Sequence, residues 1–253
     1  VGSSMHWSWL ACFAVLDDGG WGGAVGTPEG HSAGACDLAV ATAAAWLDSP
    51  TLDQPVVIRG ANWTAVEVLR KDRLLATFGD VPVAVPGEHR LNAAYFGGDA
   101  TLPLRSFVEF VLRTGREQVF NSQWWSRQEL LPLRQVVLEE LYLFVRALGA
   151  TATSTASEFA YVGAPGTGTS FHNHGAAVNA LAFGMKRWFF ARPHSEVQEG
   201  DKPQETNANS YLMCIQYPGE LMFVPDGWLH ATVNMAHSVG VALVPQGYGQ
   251  SVR

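Results

Sequence analysis

A mainly β fold with helices, a sandwich or barrel behind an N-terminal helical elaboration, is predicted by three features of this sequence. From Glu158 onward, short apolar runs are broken by Gly and Pro at the spacing of consecutive strands. Upstream of that point, several segments place apolar residues at helical intervals instead. Of the 253 residues, 47% are apolar and 15% charged, which describes a globular chain with ample surface to bury. No internal repeat divides it, and no Pro/Gly linker is long enough to separate two domains.

Taken in order, residues 1–37 read as a leader. Met5–Leu16 has the short apolar core of a secretory signal but lacks the basic residues that precede one, so it reads equally as an apolar strand, and a Gly-rich stretch follows it to Cys36. Residues 38–253 read as one domain, with an elaboration over 38–157 and a barrel half over 158–253. The Ala-rich run Leu38–Leu47 predicts a helix, and Pro55–Gly60 a buried strand. Val66–Phe78 carries a helical stripe ended by Gly79, and Val81–Val85 alternates as a short strand around Pro82. Leu104–Leu112 is amphipathic and precedes Gly115. Glu129–Leu148 has helical spacing, and the Trp124-Trp125 pair before it reads as packing between elaboration and barrel. The polar insert Pro193–Asn209 reads as a surface loop between two strands, available for partner contact.

Charge and cysteine usage exclude several function classes. Lys plus Arg against Asp plus Glu gives 16 − 23 = −7, and no basic run is longer than Lys186-Arg187, so no nucleic-acid partner is expected. No run of roughly 18 apolar residues is present, so no membrane span is expected either. Cys12, Cys36 and Cys214 form no Cys-x-x-Cys pair and allow at most one disulfide, whose members the spacing does not choose. Cys214, inside the apolar strand pattern Tyr211–Ile215, reads as an inert core thiol. Neither substrate identity nor oligomeric state is written in any motif.

The chemistry concentrates in the second half. His172 and His174 stand two residues apart after the Gly-rich turn Gly163–Gly168, and on a strand such residues share a face. His230 follows a tight turn and opens an apolar strand. Three imidazoles from two strands, completed by water, make an open site for a divalent first-row metal such as Fe or Zn. Histidines satisfied by backbone groups in a core are the competing reading. Lys186 sits between the apolar runs Asn179–Phe183 and Trp188–Phe190, where an ammonium needs an anion unless the hairpin turn lets it reach water.

The ordered set Gly168-Thr169-x-x-His172-x-His174, Gly184-x-Lys186-Arg187-Trp188, Pro218-Gly219-Glu220, Phe223-Val224-Pro225-x-Gly227-Trp228-x-His230 and Asn234 resembles the jumonji-C (JmjC) branch of the cupin-fold iron(II)/2-oxoglutarate oxygenases. Upstream, Asp18-Gly19-Gly20-Trp21, Pro55–Gly60 and Asp72–Asp80 resemble one subfamily of that branch, so the likeness covers most of the chain from about residue 18. The resemblance implies a double-stranded β-helix with the metal at its mouth, His172 as first ligand and His230 as last. It implies Lys186 for the distal carboxylate of 2-oxoglutarate, with Thr169 and Asn179 as hydroxyl and amide partners. A dicarboxylate does need a buried cation and neutral donors.

One departure stands against the agreements. Active members of that branch use His-x-Asp or His-x-Glu, whereas His174 occupies the carboxylate's place here, as it does in the resembling subfamily. Imidazole for carboxylate removes one negative charge from around the metal and alters its retention and reactivity. His174 can ligate, turn aside and leave a place for water or an anion, or belong to a site that holds no metal. The resemblance therefore implies either a hydroxylase of protein side chains or a lumenal scaffold that kept the barrel without catalysis. A zinc hydrolase on the same histidines is disfavoured, because no carboxylate base is evident beside them. Asn62-Trp63-Thr64 is an N-glycosylation acceptor. With the signal-like start and a subfamily of endoplasmic-reticulum lumenal proteins, it points to the secretory route; a cytoplasmic chain would make these features accidental.

Overall fold

The computed structural model describes residues 19–22, 36–84, 101–115, 118–121, 127–149, 156–192, 194–203 and 209–245. The signal-like start, the Trp124-Trp125 pair and part of the polar insert lie outside these residues. The N-terminal part runs β1 (Ala39–Thr42), α1 (Ala43–Asp48), β2 (Val56–Arg59), a 3-10 turn at Thr64–Val66, α2 (Lys71–Phe78), β3 (Pro82–Ala84), β4 (Thr101–Pro103), α3 (Leu104–Thr114), β5 (Gln118–Asn121), a second 3-10 turn at Gln128–Leu130, α4 (Leu131–Glu139) and α5 (Leu141–Ala147). Eight strands follow: β6 (Ala156–Gly163), β7 (Gly168–His172), β8 (Ala177–Phe183), β9 (Lys186–Ala191), β10 (Tyr211–Gln216), β11 (Leu221–Val224), β12 (His230–Asn234) and β13 (Ser238–Pro245).

Three expected helices change shape, each because a tertiary contact overrides local propensity. The first half of Leu38–Leu47 is a strand, since β1 pairs in parallel with β2, and the helix begins only where Thr42 Oγ1 accepts the Ala45 N–H at 3.2 Å. The stripe expected from Val66 is helical only from Lys71, whose N–H donates to the Gly19 carbonyl at 2.8 Å. Glu129–Leu148 is two helices hinged at Glu140, whose carboxylate accepts from the Thr64 N–H and hydroxyl at 2.7 and 2.8 Å. Trp21, within the stretch read as leader, is buried and donates its indole N–H to the Leu69 carbonyl.

The eight C-terminal strands sort into two facing sheets. One has the order β1-β2-β11-β8-β13-β6-β5, so the elaboration extends it at both edges, and the other has the order β10-β9-β12-β7. This is a double-stranded β-helix. The larger sheet is covered on both faces, which is why β8 is buried at every position and shows no polar alternation. Its outward side chains, among them Val178, Ala180, Phe223 and Val241, join the helices in one core that includes Trp46 and Phe144. The inward side chains Val57, Ala177, Met222 and Val224 meet Trp188 and Phe190 of the smaller sheet inside the barrel. Phe171, Phe189, Tyr211 and Ala231 cover that sheet's outer face.

Cys214 is not a free thiol. It forms a disulfide with Cys36, 178 residues away in sequence, and the neighbouring Asp37 N–H donates to the Met213 carbonyl at 2.7 Å. The apolar setting expected for Cys214 is present, but the residues just before β1 run antiparallel beside β10 and bring a second sulfur to it.

Candidate metal and co-substrate site

The site is assembled by one irregularity in β7. Strict alternation would send Thr169 and His172, three apart, to opposite faces. The pairing with β12 slips between His172↔His230 and Thr169↔Thr232, a β-bulge that places one extra residue on β7 and turns both side chains inward. Gly168 opens this strand because a Cβ there would fall 1.9 Å from the Thr232 carbonyl oxygen. His174 lies just beyond the strand end rather than on it. Its carbonyl accepts from the Gly227 N–H at 3.1 Å, and Gly227, at φ +73°, makes the tight turn before β12. That contact carries the turn leading into His230 to the loop bearing His174.

The three imidazoles converge. One ring nitrogen of each lies within 4.8 Å of the others, and ring centroids are 4.4 Å apart for His172–His230, 4.7 Å for His174–His230 and 5.4 Å for His172–His174. Each Nδ1 sits against a backbone carbonyl: Ser170 at 2.8 Å for His172, Gly175 at 2.6 Å for His174 and Trp228 at 2.7 Å for His230. A carbonyl only accepts, so each Nδ1 carries a proton, and in the neutral form of each ring the lone pair falls on Nε2. Burial, with the neighbouring His172, pushes His230 down to about 3. Burial lowers His174 as well, against the Gly175 carbonyl, which raises it. Neutral rings with oriented lone pairs are what a divalent metal requires of histidine, so these residues fit such an ion.

Lys186 is fully buried, not turned to water at the hairpin. With Thr169, Asn179, Thr232 and the three histidines it lines one cavity of about 210 Å³. Its Nζ lies 4.0 Å from the centre of the Tyr161 ring, and burial pushes the ammonium down to about 7. Asn179 is buried and its Oδ1 accepts from the Tyr161 hydroxyl at 3.0 Å, while the Thr169 and Thr232 hydroxyls are 3.0 Å apart. The cavity therefore has histidines at one part of its wall and a cation with neutral hydrogen-bonding groups at another. Asn62 is exposed, at φ +47°, and the Thr64 hydroxyl of the same tripeptide is held by Glu140.

Sequence reasoning missed Tyr161, Thr232 and Trp188. Two of them had a signal, since Thr232 follows His230 by two residues and Trp188 follows Lys186 by two, so each shares its neighbour's face. Tyr161 reaches Lys186 from the opposite sheet, and no local spacing encodes that contact. Pro218-Gly219-Glu220, by contrast, is structural: Glu220 is buried, pairs with Arg59 at 2.7 Å and accepts the Tyr217 N–H at 2.9 Å. His194 is exposed, and His237 lies by the Gly22 carbonyl, so neither joins the site.

A double-stranded β-helix with clustered histidines and a lysine buried in the same cavity defines a cupin of the oxygenase type. No family model matches the chain. It is 28% identical over 250 residues to the human protein named JmjC domain-containing protein 8, covering 89% of each chain. It is 28% identical over 210 residues to the rat protein of that name, covering 75% of this chain and 73% of the other. To the Arabidopsis thaliana protein named arginine-specific demethylase JMJ22 it is 26% identical over 220 residues, covering 75% of this chain and 41% of that one. These likenesses support a JmjC-family assignment for the chain.

Proposed function

We propose that this chain is an iron(II)- and 2-oxoglutarate-binding JmjC protein that hydroxylates a protein side chain. His172, His174 and His230 hold the metal, and Lys186, Thr169 and Asn179 hold the co-substrate. The observation that carries this reading is the fully buried Lys186 in the same cavity as three converged imidazoles. Bound iron(II) supplies the redox chemistry by which dioxygen oxidises 2-oxoglutarate to succinate and carbon dioxide while a C–H bond gains an oxygen atom. The residues do the rest. Burial favours the neutral form of His174 and His230, whose Nε2 lone pairs then face the metal, and an arriving carboxylate favours the charged form of Lys186. Phe159, Val224 and Val244 keep water from that part of the cavity. JmjC relatives named as arginine-specific demethylases support a protein side chain as the substrate class. The disulfide supports the endoplasmic reticulum lumen, since such bonds persist in oxidising compartments, and the exposed Asn62 is available to a glycan there.

The second reading, a lumenal scaffold without turnover, is favoured by His174 itself, which leaves a metal centre without a carboxylate. One experiment separates the two. The protein is loaded anaerobically with iron(II) or zinc, its metal content is measured, and 2-oxoglutarate is titrated into wild type, Lys186→Ala and His174→Asp before air is admitted. Oxygenase function requires bound iron, Lys186-dependent binding and succinate from the wild type. Succinate from His174→Asp alone supports the scaffold with a preserved pocket. Absence of metal and of Lys186-dependent binding sinks the oxygenase reading altogether.

A further inference from the structure

A row of fully buried polar residues crosses the smaller sheet inside the barrel: Gln216 on β10, Lys186 on β9 and Asn234 on β12 are paired in register and face the same way. Gln216 makes hydrogen bonds both within the sheet and out of it. Its Oε1 accepts the Trp188 indole N–H at 2.8 Å, and its Nε2 donates to the Asn179 carbonyl at 3.0 Å and the Glu220 carbonyl at 2.9 Å. One amide thus joins the smaller sheet to β8 of the larger one and to the turn that leads into β11. It does so between a residue of the histidine wall and a residue of the Lys186 wall.

Trp188 is the link to the imidazoles. It is 3% exposed, lines the cavity, and stacks on His230 with ring centroids 5.9 Å apart and planes inclined by 29°. It also stacks on Phe190 at 5.8 Å and 9°, and Phe190 stacks on His230 at 5.9 Å and 30°, so the three rings pack mutually. The His230 ring is therefore fixed by its Nδ1–H bond to the Trp228 carbonyl and by two aromatic faces, one of which is held at its own N–H by Gln216. An indole N–H buried without an acceptor carries a desolvation cost, so this bond selects one tilt of Trp188.

We propose that Gln216 is a positioning residue of the metal site, acting through Trp188 on His230 and holding Asn179 in register with them. It touches neither metal nor co-substrate. The proposal rests on the metal-centre reading, because holding His230 matters to function only if that ring ligates. Partners that orient metal ligands from behind typically govern metal affinity by about ten- to a hundredfold, and this is the scale expected here.

The test uses the full chain and the variants Gln216→Met, Trp188→Phe and the double variant. In the metal-free protein, the ring Cε1–H resonance of His230 is followed by carbon-edited NMR, assigned from its absence in His230→Gln. Both single variants are expected to shift it, and the double variant to match Trp188→Phe, because Gln216 would then have no indole left to hold. Cobalt(II) affinity, read from the visible spectrum, is expected to fall about tenfold or more in each single variant and no further in the double. A His230 resonance unmoved by Gln216→Met overturns the inference, as does a full additive loss in the double variant. If wild type takes up no cobalt(II), the metal-centre reading fails while the metal-free resonance still decides whether Gln216 holds His230. Should Gln216→Met prove unfolded, the same resonance in Trp188→Phe decides: no shift there overturns the link.

Discussion

At the scale of a single residue, Lys186 sets stability against function. Burial alone drives its ammonium down to about 7, against about 10.4 for a lysine in an unfolded chain. The folded, ligand-free protein therefore binds fewer protons than the unfolded chain between about pH 7 and pH 10, and its stability rises with pH across that window. The Tyr161 ring face offsets part of the cost and cannot remove it. Lys186→Met should accordingly raise the urea midpoint of ligand-free protein at pH 7 and flatten its rise toward pH 10. The same variant should weaken 2-oxoglutarate binding by roughly 2–5 kcal/mol, the usual cost of removing one partner from a buried charge pair. Unfolding curves at pH 7 and pH 9.5, with calorimetric titration of 2-oxoglutarate, check both halves. Equal pH dependence in the two proteins would show that Lys186 does not bear this charge. The residue was legible in the sequence as a cation among apolar runs, and what spacing left open, water or cavity, is settled by its full burial.

At the scale of the element, the sequence shows strands where burial alternates and misleads where a neighbour decides. His172, Lys186 and His230 were readable because each sits at a strand end beside a turn residue. The inward turn of Thr169 was not, because a bulge exists only in the register between β7 and β12. The divided helix between Glu129 and Leu148 was not either, since Glu140 is recruited by Thr64 from far upstream. The same pair of helices is bound to the barrel by Glu158 on β6, whose carboxylate accepts two N–H bonds from Arg134 of α4, at 2.7 and 2.6 Å, and the Tyr142 hydroxyl of α5. Burial, reinforced by Glu158, raises Tyr142 to about 12. Glu158→Ala leaves a half-buried phenol and a guanidinium without their common acceptor, and should lower stability by about 1–3 kcal/mol. Urea denaturation monitored by helical circular dichroism checks the value. A wild-type midpoint would mean that apolar packing alone holds α4 and α5 in place.

At the scale of the whole molecule, the two sheets are tied along the barrel by Gln216 within and by one covalent bond at the edge. The disulfide Cys36–Cys214 joins the chain just before β1, at the outer edge of the larger sheet, to β10, at the outer edge of the smaller one. Its sulfurs lie in the same apolar cluster as Trp188 and Phe190, the rings that stack on His230. The pairing was invisible in the sequence because three cysteines fit several pairings, and only the folded course of residues 36–38 beside β10 selects one. Closing a loop of this length restricts the unfolded chain, and losing such a bond typically costs about 2–5 kcal/mol. Cys214→Ser, or reduction of the wild type, should therefore lower the thermal midpoint, and both treatments should give the same value. Cys36→Ser should give that same midpoint as well, which separates loss of the cross-link from loss of one particular side chain. Because the cross-link borders the aromatic cluster behind His230, reduction should also weaken cobalt(II) binding, an effect that Gln216→Met would not mimic in its dependence on reductant. If reduction lowers the midpoint and leaves cobalt(II) affinity untouched, the disulfide closes the barrel without shaping the site.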